Sequence, residues 1–453
     1  MESKKGNTFS GKLGFVLAVS GSAVGLGNIW RFPYLAAKYG GGIFLLVYIL
    51  LAVTFGFTLI ISETALGRMT GKGPVGAFKT FAKGKLAAGG WFTALIPMLI
   101  VPYYCVIGGW VIKYLVGFAS GNVTEMASDT YFSEFTALPV EPVIWLLVFI
   151  ALTFLVVIFG VEKGIERISK ILMPVLLVLA VIICIYSVTR PGALEGVAYY
   201  LIPDFSKFSL MTVVAAMGQM FYSLSIAMGI LITYGSYMKK EVDMESSVKQ
   251  IEIMDTLVAI LAGLMIIPAV FAFSGGDQSA LNAGPSLMFI TIPKVFESMG
   301  MGQIIGAVFF LLVLVAALTS SISLMETSVA TIQERFGWSR KKACLLMVAE
   351  MAILGIPCSL GFGVWDFIKP LGLSILDFFD FITNSVMMPI SAFLICLLVI
   401  KGTGLDAIAN EVKLSSRFRR ERTYRFLVRG LVPVGLLIIF VSSVLNVFGI
   451  ITI

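Results

Sequence analysis

Apolar residues run along this chain in blocks long enough to cross a bilayer, with polar and glycine-rich stretches between them. A spanning helix needs about 20 mostly apolar residues. On that length the sequence divides into eleven segments, 12–38, 42–70, 88–118, 142–159, 164–189, 209–238, 249–273, 302–335, 341–358, 374–401 and 426–450. The pattern predicts an all-α integral membrane protein of about eleven transmembrane helices. No linker, heptad array or low-complexity tract divides it, so a single domain over 1–453 is expected.

Composition agrees with this and removes several alternatives. Of 453 residues 58% are hydrophobic and 13% charged, against about 25% charged in ordinary soluble domains. The 45 glycines, many inside apolar runs, favour helices that approach closely or break around a cavity. There is no histidine, which excludes histidine triads, histidine zinc sites and histidine proton relays. The five cysteines, Cys105, Cys184, Cys344, Cys358 and Cys396, are odd in number and form no C-x-x-C pair, so they read as structural thiols. Nothing resembles a nucleophile–base or metal constellation of an enzyme.

The formal net charge of +7 does not require a nucleic-acid partner, because basic residues mark the cytoplasmic loops of membrane proteins. With the N-terminus inside, 26 of the 33 basic residues fall on the cytoplasmic side, including the cluster at 417–429 that precedes the last segment. An odd number of crossings then puts the C-terminus outside. The first segment is too long for a cleaved signal and contains Arg31. The acidic stretch 121–141 reads as an outer loop.

Two segments carry small or hydroxylic residues at mid-depth. The first has Gly21-Ser22-Ala23-Val24-Gly25-Leu26-Gly27-Asn28 and the sixth has Tyr222-Ser223-Leu224-Ser225-Ile226-Ala227-Met228-Gly229. Glycine costs about 1 kcal/mol against alanine inside a helix, so three close together predict a break unless they serve tight packing. A broken helix frees backbone groups inside the membrane, tolerable only where a cavity or ligand satisfies them. Half-helix N-termini then face anions and freed carbonyls face cations.

The string Gly25-Leu26-Gly27-Asn28-Ile29-Trp30-Arg31-Phe32-Pro33-Tyr34, followed by Gly40-Gly41-Gly42, resembles the signature of the neurotransmitter:sodium symporter family. Glu63 to Arg68, Tyr103-Tyr104, Gln219 to Ser225, Thr319-Ser320-Ser321, and Asp377 with Asp380 extend the likeness over nearly the whole chain. With eleven segments it is similar to the bacterial branch, which often lacks a twelfth. The resemblance implies the LeuT-type fold: two five-helix inverted repeats, 12–190 and 208–401, with helices 1 and 6 broken, and a peripheral last helix within 424–453. It also implies sodium-coupled import of neutral, mainly hydrophobic or aromatic L-amino acids across a bacterial cytoplasmic membrane. A proton-coupled transporter of related architecture, using Glu63, Asp255 or Glu326, is the alternative. Lipid is the expected surroundings, and the oligomeric state is left open.

Carried over residue by residue, the resemblance puts a substrate carboxylate on the N–H groups of Leu26 and Gly27 and on the Tyr104 hydroxyl. Ala23, Ile100, Tyr222, Ser225, Met228, Ser320 and Leu324 would surround its side chain. Monoamine carriers place an aspartate where this chain has Gly25. Two sodium ions are implied. The first would take Ala23, Asn28, Ser223, Asp255 and the substrate carboxylate; the second Gly21, Val24, Ala316, Thr319 and Ser320. All are oxygen ligands, as a hard cation requires. On residue type alone, Thr319-Ser320 would also suit a helix–helix hydrogen bond.

Further implications concern moving parts and anions. Arg31 and Asp380 would form an outer gate, and an N-terminal basic residue would pair with Glu334, near Tyr237, as an inner one. There Gly6 and Phe9 stand where relatives commonly carry arginine and tryptophan, leaving Lys4 or Lys5 as substitutes. Gly164 and Pro174 match a glycine-x9-proline pattern that lets the fifth helix unwind, or else simply kink. Glu63 is expected to staple the broken sixth helix, or to carry a proton. Chloride-requiring relatives hold the anion with a tyrosine, a glutamine and two serines; here Tyr48, Gln219 and Ser223 match and the fourth position is Ala259. Asp255 lies four residues before Ala259, on the same helix face, so no chloride requirement is expected.

Overall fold

The structure is a computed structural model and describes residues 8–276 and 285–447. Among the described residues it is helical throughout, with one isolated bridge between Gly41 and Pro203. The apolar blocks of the sequence appear as helices at Gly42–Thr70, Gly84–Ala119, Val161–Val188, Met244–Ser274, Gly302–Phe336, Arg340–Leu360, Ile375–Thr403 and Glu421–Asn446. These eight are long and apolar enough to cross a membrane. The first segment is two pieces, Lys12–Ala23 and Gly27–Lys38, bent by 55° at the break. The fourth is Glu141–Val157, and the sixth is divided into Leu210–Ser223 and Ile230–Ser236.

Burial separates an inner bundle from an outer ring. In the third helix, Gly84–Ala119, 83% of the apolar window is buried, against 33% in the fifth, 39% in the ninth and 35% in the last. The third packs most extensively on the eighth, Gly302–Phe336. The first half of the broken first segment lies against the fifth, seventh and eighth helices. The outer helices expose Leu, Ile, Val and Phe side chains such as Ile171, Val178, Ile185, Ile353 and Leu437. In water such a surface would associate; in a bilayer it is the ordinary lipid-facing side.

Glycine sets one crossing that the site depends on. The second helix and the Ile230–Ser236 piece touch backbone to backbone. A Cβ on Gly67 would strike the Ile232 carbonyl, and one on Gly235 the Thr64 carbonyl. Nearby, Arg68 is fully buried and donates to Glu411 at 2.8 Å, to the Val242 carbonyl at 2.9 Å and to Ser415 at 3.1 Å. Lys240 reaches the same Glu411 carboxylate at 2.7 Å. The glycine–glycine contact predicts that Gly67→Ala lowers stability by about 1–3 kcal/mol through overpacking. The check is the thermal midpoint in detergent, where an unchanged value would mean that the helices have slack.

Candidate functional site

The two interrupted segments face each other. In the first, Val24 leaves the helical region at φ −76°, ψ 102°, and the chain re-enters helix at Gly27. In the sixth, residues 224–229 are non-helical, with positive φ at Ser225 (52°), Ala227 (66°) and Gly229 (74°). A left-handed alanine is strained by about 1–2 kcal/mol, so its surroundings must hold it. Glu63, wholly buried in the second helix, accepts the Ala227 N–H at 2.7 Å, and Ser391 donates to the Ala227 carbonyl at 2.8 Å. Glu63 thus makes the bond expected of it. Direct bonds join the two breaks: Ser225 Oγ to the Ser22 carbonyl at 2.9 Å, and Gln219 Nε2 to the Gly27 carbonyl at 2.9 Å.

Between the breaks lies a cavity lined by Ala23, Leu26, Gly27, Ile100, Tyr104, Tyr222, Ser225, Met228, Ser320 and Leu324, the ten positions read from the sequence. Ser22, Gly25, Asn28, Ser223 and Ile230 complete it. Of these, Ser22 and Ile230 were not singled out in the sequence. Ser22 sits within the glycine string, but nothing marked Ile230 except its place after Gly229. Part of the lining is polar. The Leu26 N–H points to the Tyr104 hydroxyl at 3.4 Å. A Cβ on Gly25 would come within 2.7 Å of Ser320 Oγ and 3.1 Å of the Tyr104 oxygen. A Cβ on Gly27 would strike the Tyr222 ring. The lining also includes the apolar side chains of Ile100, Met228, Ile230 and Leu324.

A cluster of oxygens adjoins the polar part. Asn28 Nδ2 donates to Asp255 Oδ1 at 2.9 Å and to Ser223 Oγ at 2.8 Å, and Ser223 donates to Asp255 at 2.7 Å. The Tyr48 hydroxyl donates to the other Asp255 oxygen at 2.8 Å. Asn28, Tyr48 and Asp255 are fully buried. Every group hydrogen-bonded to Asp255 is neutral. A buried carboxylate without a cationic neighbour calls for a cation or a proton. The Tyr48 hydroxyl also lies 3.3 Å from Ser223 Oγ, and Ala259, four residues after Asp255, has a methyl side chain and a carbonyl that accepts from Tyr200 at 3.3 Å.

A second cluster joins the first and eighth segments. Ser320 Oγ lies 3.5 Å from the Gly21 carbonyl, 3.2 Å from that of Ser22 and 3.4 Å from that of Val24. Thr319 Oγ1 bonds the Ala316 carbonyl at 3.1 Å, and its Cβ would lie 3.2 Å from a Cβ on Gly21. Gly21, Val24, Ala316, Thr319 and Ser320 are thus brought together. Among the described residues no group of three or more Cys, Asp or Glu forms a multivalent-metal site.

The gate residues are placed less simply. Arg31 and Asp380 line one hollow, which shares Tyr222 with the cavity. They do not form a contact ion pair. Arg31 lies over the Tyr222 ring, 5.4 Å from its centroid. Asp380 accepts from Tyr103 at 3.3 Å and Asn384 at 2.6 Å. Tyr237 and Glu334 line another hollow, but they have different partners. Tyr237 donates to Glu326 at 2.8 Å, and Glu326 is paired with Arg340. Glu334 accepts the Gly73 N–H at 2.8 Å. The Glu326–Arg340 pair was missed because it joins two helices that sequence spacing does not relate.

Phe9 is buried and stacks edge-on against Phe15, Tyr234 and Tyr237, filling the position where relatives carry tryptophan. Next to it the Ser10 N–H and hydroxyl both bind Glu166. Lys4, Lys5 and Gly6 lie outside the described residues. Gly164 lies in a wide helical turn, Val161–Glu166, continuous with the helix that contains Pro174, so the fifth helix is wound here.

The family model for the sodium:neurotransmitter symporter family matches residues 6–136 and 139–450. The chain belongs to that family. It is 36% identical to an uncharacterized sodium-dependent transporter of Bacillus subtilis, YhdH, over the full length of both chains. It is 33% identical to another such transporter of Haemophilus influenzae, over 97% of this chain and 98% of that one. Among solved structures it is similar to MhsT in complex with L-phenylalanine, at a TM-score of 0.86 and 38% identity over 96% of this chain and 99% of that one. Membership makes the chain a multi-pass membrane transporter of a sodium-dependent family, with a small-molecule substrate, and not an enzyme.

The strained Ala227 gives a prediction. Glu63→Ala leaves a buried N–H without an acceptor, costing about 1–3 kcal/mol, and should lower both thermal stability and transport. Glu63→Gln keeps an acceptor oxygen and should retain most transport. A Gln variant as inactive as the Ala variant would show that the charge or proton of Glu63 matters, not its hydrogen bond.

Proposed function

We propose that this chain imports neutral, mainly hydrophobic or aromatic L-amino acids together with sodium, by alternating access across a bacterial cytoplasmic membrane. The observation that carries this reading is one cavity whose lining combines a polar cluster with apolar side chains. The cluster offers the Leu26 N–H and the Tyr104 hydroxyl, donors suited to a carboxylate. The apolar lining offers Ile100, Met228, Ile230 and Leu324. Gly25 brings no negative charge to the polar cluster, so the substrate supplies its own carboxylate. Met228 adapts to side chains of different shape.

Sodium enters as co-substrate. Ala23, Asn28, Ser223 and Asp255, with the substrate carboxylate, would hold one ion, and Gly21, Val24, Ala316, Thr319 and Ser320 a second. A substrate oxygen in the first cage makes ion and amino acid bind together. Two charges moving inward gain about 4.6 kcal/mol at 100 mV, and tenfold gradients of both ions add about 2.8 kcal/mol. Arg31 with Asp380 would close the outer path, and the Tyr237 and Glu334 region the inner one. The paired breaks support inverted repeats over 12–190 and 208–401 with the last helix, within 424–453, outside them. The basic residues support a cytoplasmic N-terminus and an extracellular C-terminus.

The test is uptake of labelled amino acids into proteoliposomes with and without a sodium gradient. Phenylalanine-like and branched aliphatic substrates should accumulate only with sodium. Uptake that ignores sodium and collapses with a protonophore would replace sodium by proton coupling through Glu63, Asp255 or Glu326. An oxygen contributing about 1.5–3 kcal/mol corresponds to a roughly 10- to 100-fold change in affinity. Thr319→Ala should therefore raise the sodium concentration needed for half-maximal uptake by at least about tenfold, and an unchanged value would remove Thr319 from the ion site.

A second prediction concerns chloride. Asp255 already supplies a negative charge where chloride-requiring relatives recruit an anion, so a further anion is electrostatically disfavoured. Replacing chloride by gluconate on both sides should leave wild-type uptake unchanged. The combined Asp255→Asn and Ala259→Ser variant should be stimulated by chloride. A wild type that stops in gluconate would overturn the assignment.

A further inference from the structure

The last helix, Glu421–Asn446, has an inward face set at its start by Tyr424, whose hydroxyl lies 3.0 Å from Ser62 Oγ, and by buried Leu427 and Val428. Its opposite face begins with Arg422, Phe426, Arg429 and Gly430, all exposed. The four-residue spacing puts 422 and 426 on one side of the helix, and the exposure continues through the wide turn Leu427–Leu431 at Arg429 and Gly430. The same stripe continues as exposed Val434, Leu437 and Val441. Arg425, Phe426, Arg429 and Gly430 line a shallow hollow there. A Cβ on Gly430 would meet nothing within 4 Å, so the floor of the hollow is open.

Charge at this place is unbalanced. Arg425 donates to Glu421 at 2.8 and 3.0 Å and pairs with Asp406 at 2.7 Å, and Lys413 pairs with Glu421 at 2.7 Å. Arg422 and Arg429 form no ion pair among the described residues, so two positive charges remain uncompensated. The guanidinium fork matches the oxygens of a phosphate diester. From Arg429 to Val441 the helix rises about 18 Å, comparable to the length of an acyl chain.

We infer that this hollow seats the headgroup of an anionic phospholipid, with one acyl chain lying along Val434, Leu437 and Val441. Arg422 and Arg429 hold the phosphate, Arg425 stands behind it, fixed by its two carboxylates, and Phe426 flanks the glycerol region. Topology alone explains basic residues at the cytoplasmic end of a helix. It explains neither the open floor at Gly430 nor the alignment of the uncompensated arginines with an unbroken apolar stripe. The site stands on its own observations and does not depend on the substrate or on sodium.

The test is native mass spectrometry of the full chain, reconstituted in equimolar dioleoyl phosphatidylglycerol and dioleoyl phosphatidylcholine and then released from detergent. Wild type should retain phosphatidylglycerol in preference to phosphatidylcholine. Arg422→Gln combined with Arg429→Gln should reduce that retention about fivefold or more. Gly430→Leu keeps every charge and fills the hollow, and should have the same effect. Lys83→Gln combined with Lys85→Gln removes the same charge from another basic loop and should have none. Equal retention of the two lipids by wild type, undiminished retention in the arginine or Gly430 variants, or an equal loss in the lysine control would each overturn the proposal.

Discussion

Everything at the centre of this molecule depends on one constraint: a peptide group taken out of a helix inside a membrane must find another partner. Each group left without one costs several kcal/mol. The chain breaks two helices at the same level and supplies partners from neighbouring helices. Ala227 is the clearest case, because its N–H is taken by Glu63 and its carbonyl by Ser391. Ser225, Gln219 and Asn28 then bond across to the other break or to residues beside it. The cavity is what remains between the two breaks.

The same economy of polar groups separates the centre from the periphery. Buried charges occur as carboxylates beside hydroxyls or amides, as at Asp255, or in pairs such as Glu326–Arg340 and Arg68–Glu411. Glu63 and Asp255 are buried carboxylates held only by neutral donors, the Ala227 N–H in the one case and Asn28, Ser223 and Tyr48 in the other. On the outside, apolar side chains meet lipid and polar ones gather at the helix ends. The third and eighth helices pack closely against one another within this bundle.

Much of this was legible in the sequence for physical reasons that can be named. Long apolar runs gave the helices to within a few residues, since no other element satisfies its own backbone in lipid. Gly21 to Asn28 gave the first break, and the ten cavity positions came from its match to a family signature. The sixth break was fainter, because only Gly229 of its three left-handed residues is a glycine; Ser225 and Ala227 are held there by distant partners that local sequence does not reveal. The surroundings of Tyr237 were least legible. Its bond to Glu326 could not be read from sequence, since Glu326 and Glu334 lie two helical turns apart on one helix and only packing decides that Tyr237 and Arg340 settle on Glu326. The outer pair was read as a contact, whereas Arg31 rests on Tyr222 and Asp380 on Tyr103 and Asn384.

The backbone contact at Gly67 and Gly235 has a mechanical consequence. Two helices whose peptide groups touch have no side-chain layer between them to shear, and their surfaces cannot slide without raising one carbonyl over another. The second helix and the Ile230–Ser236 piece therefore travel as one lever. Its fulcrum falls at residues 224–229, the stretch where no helix resists bending. Because Glu63 sits on that lever and grips Ala227 at the fulcrum, any tilt of the lever is transmitted to the wall of the cavity, and whatever occupies the cavity resists the tilt in return.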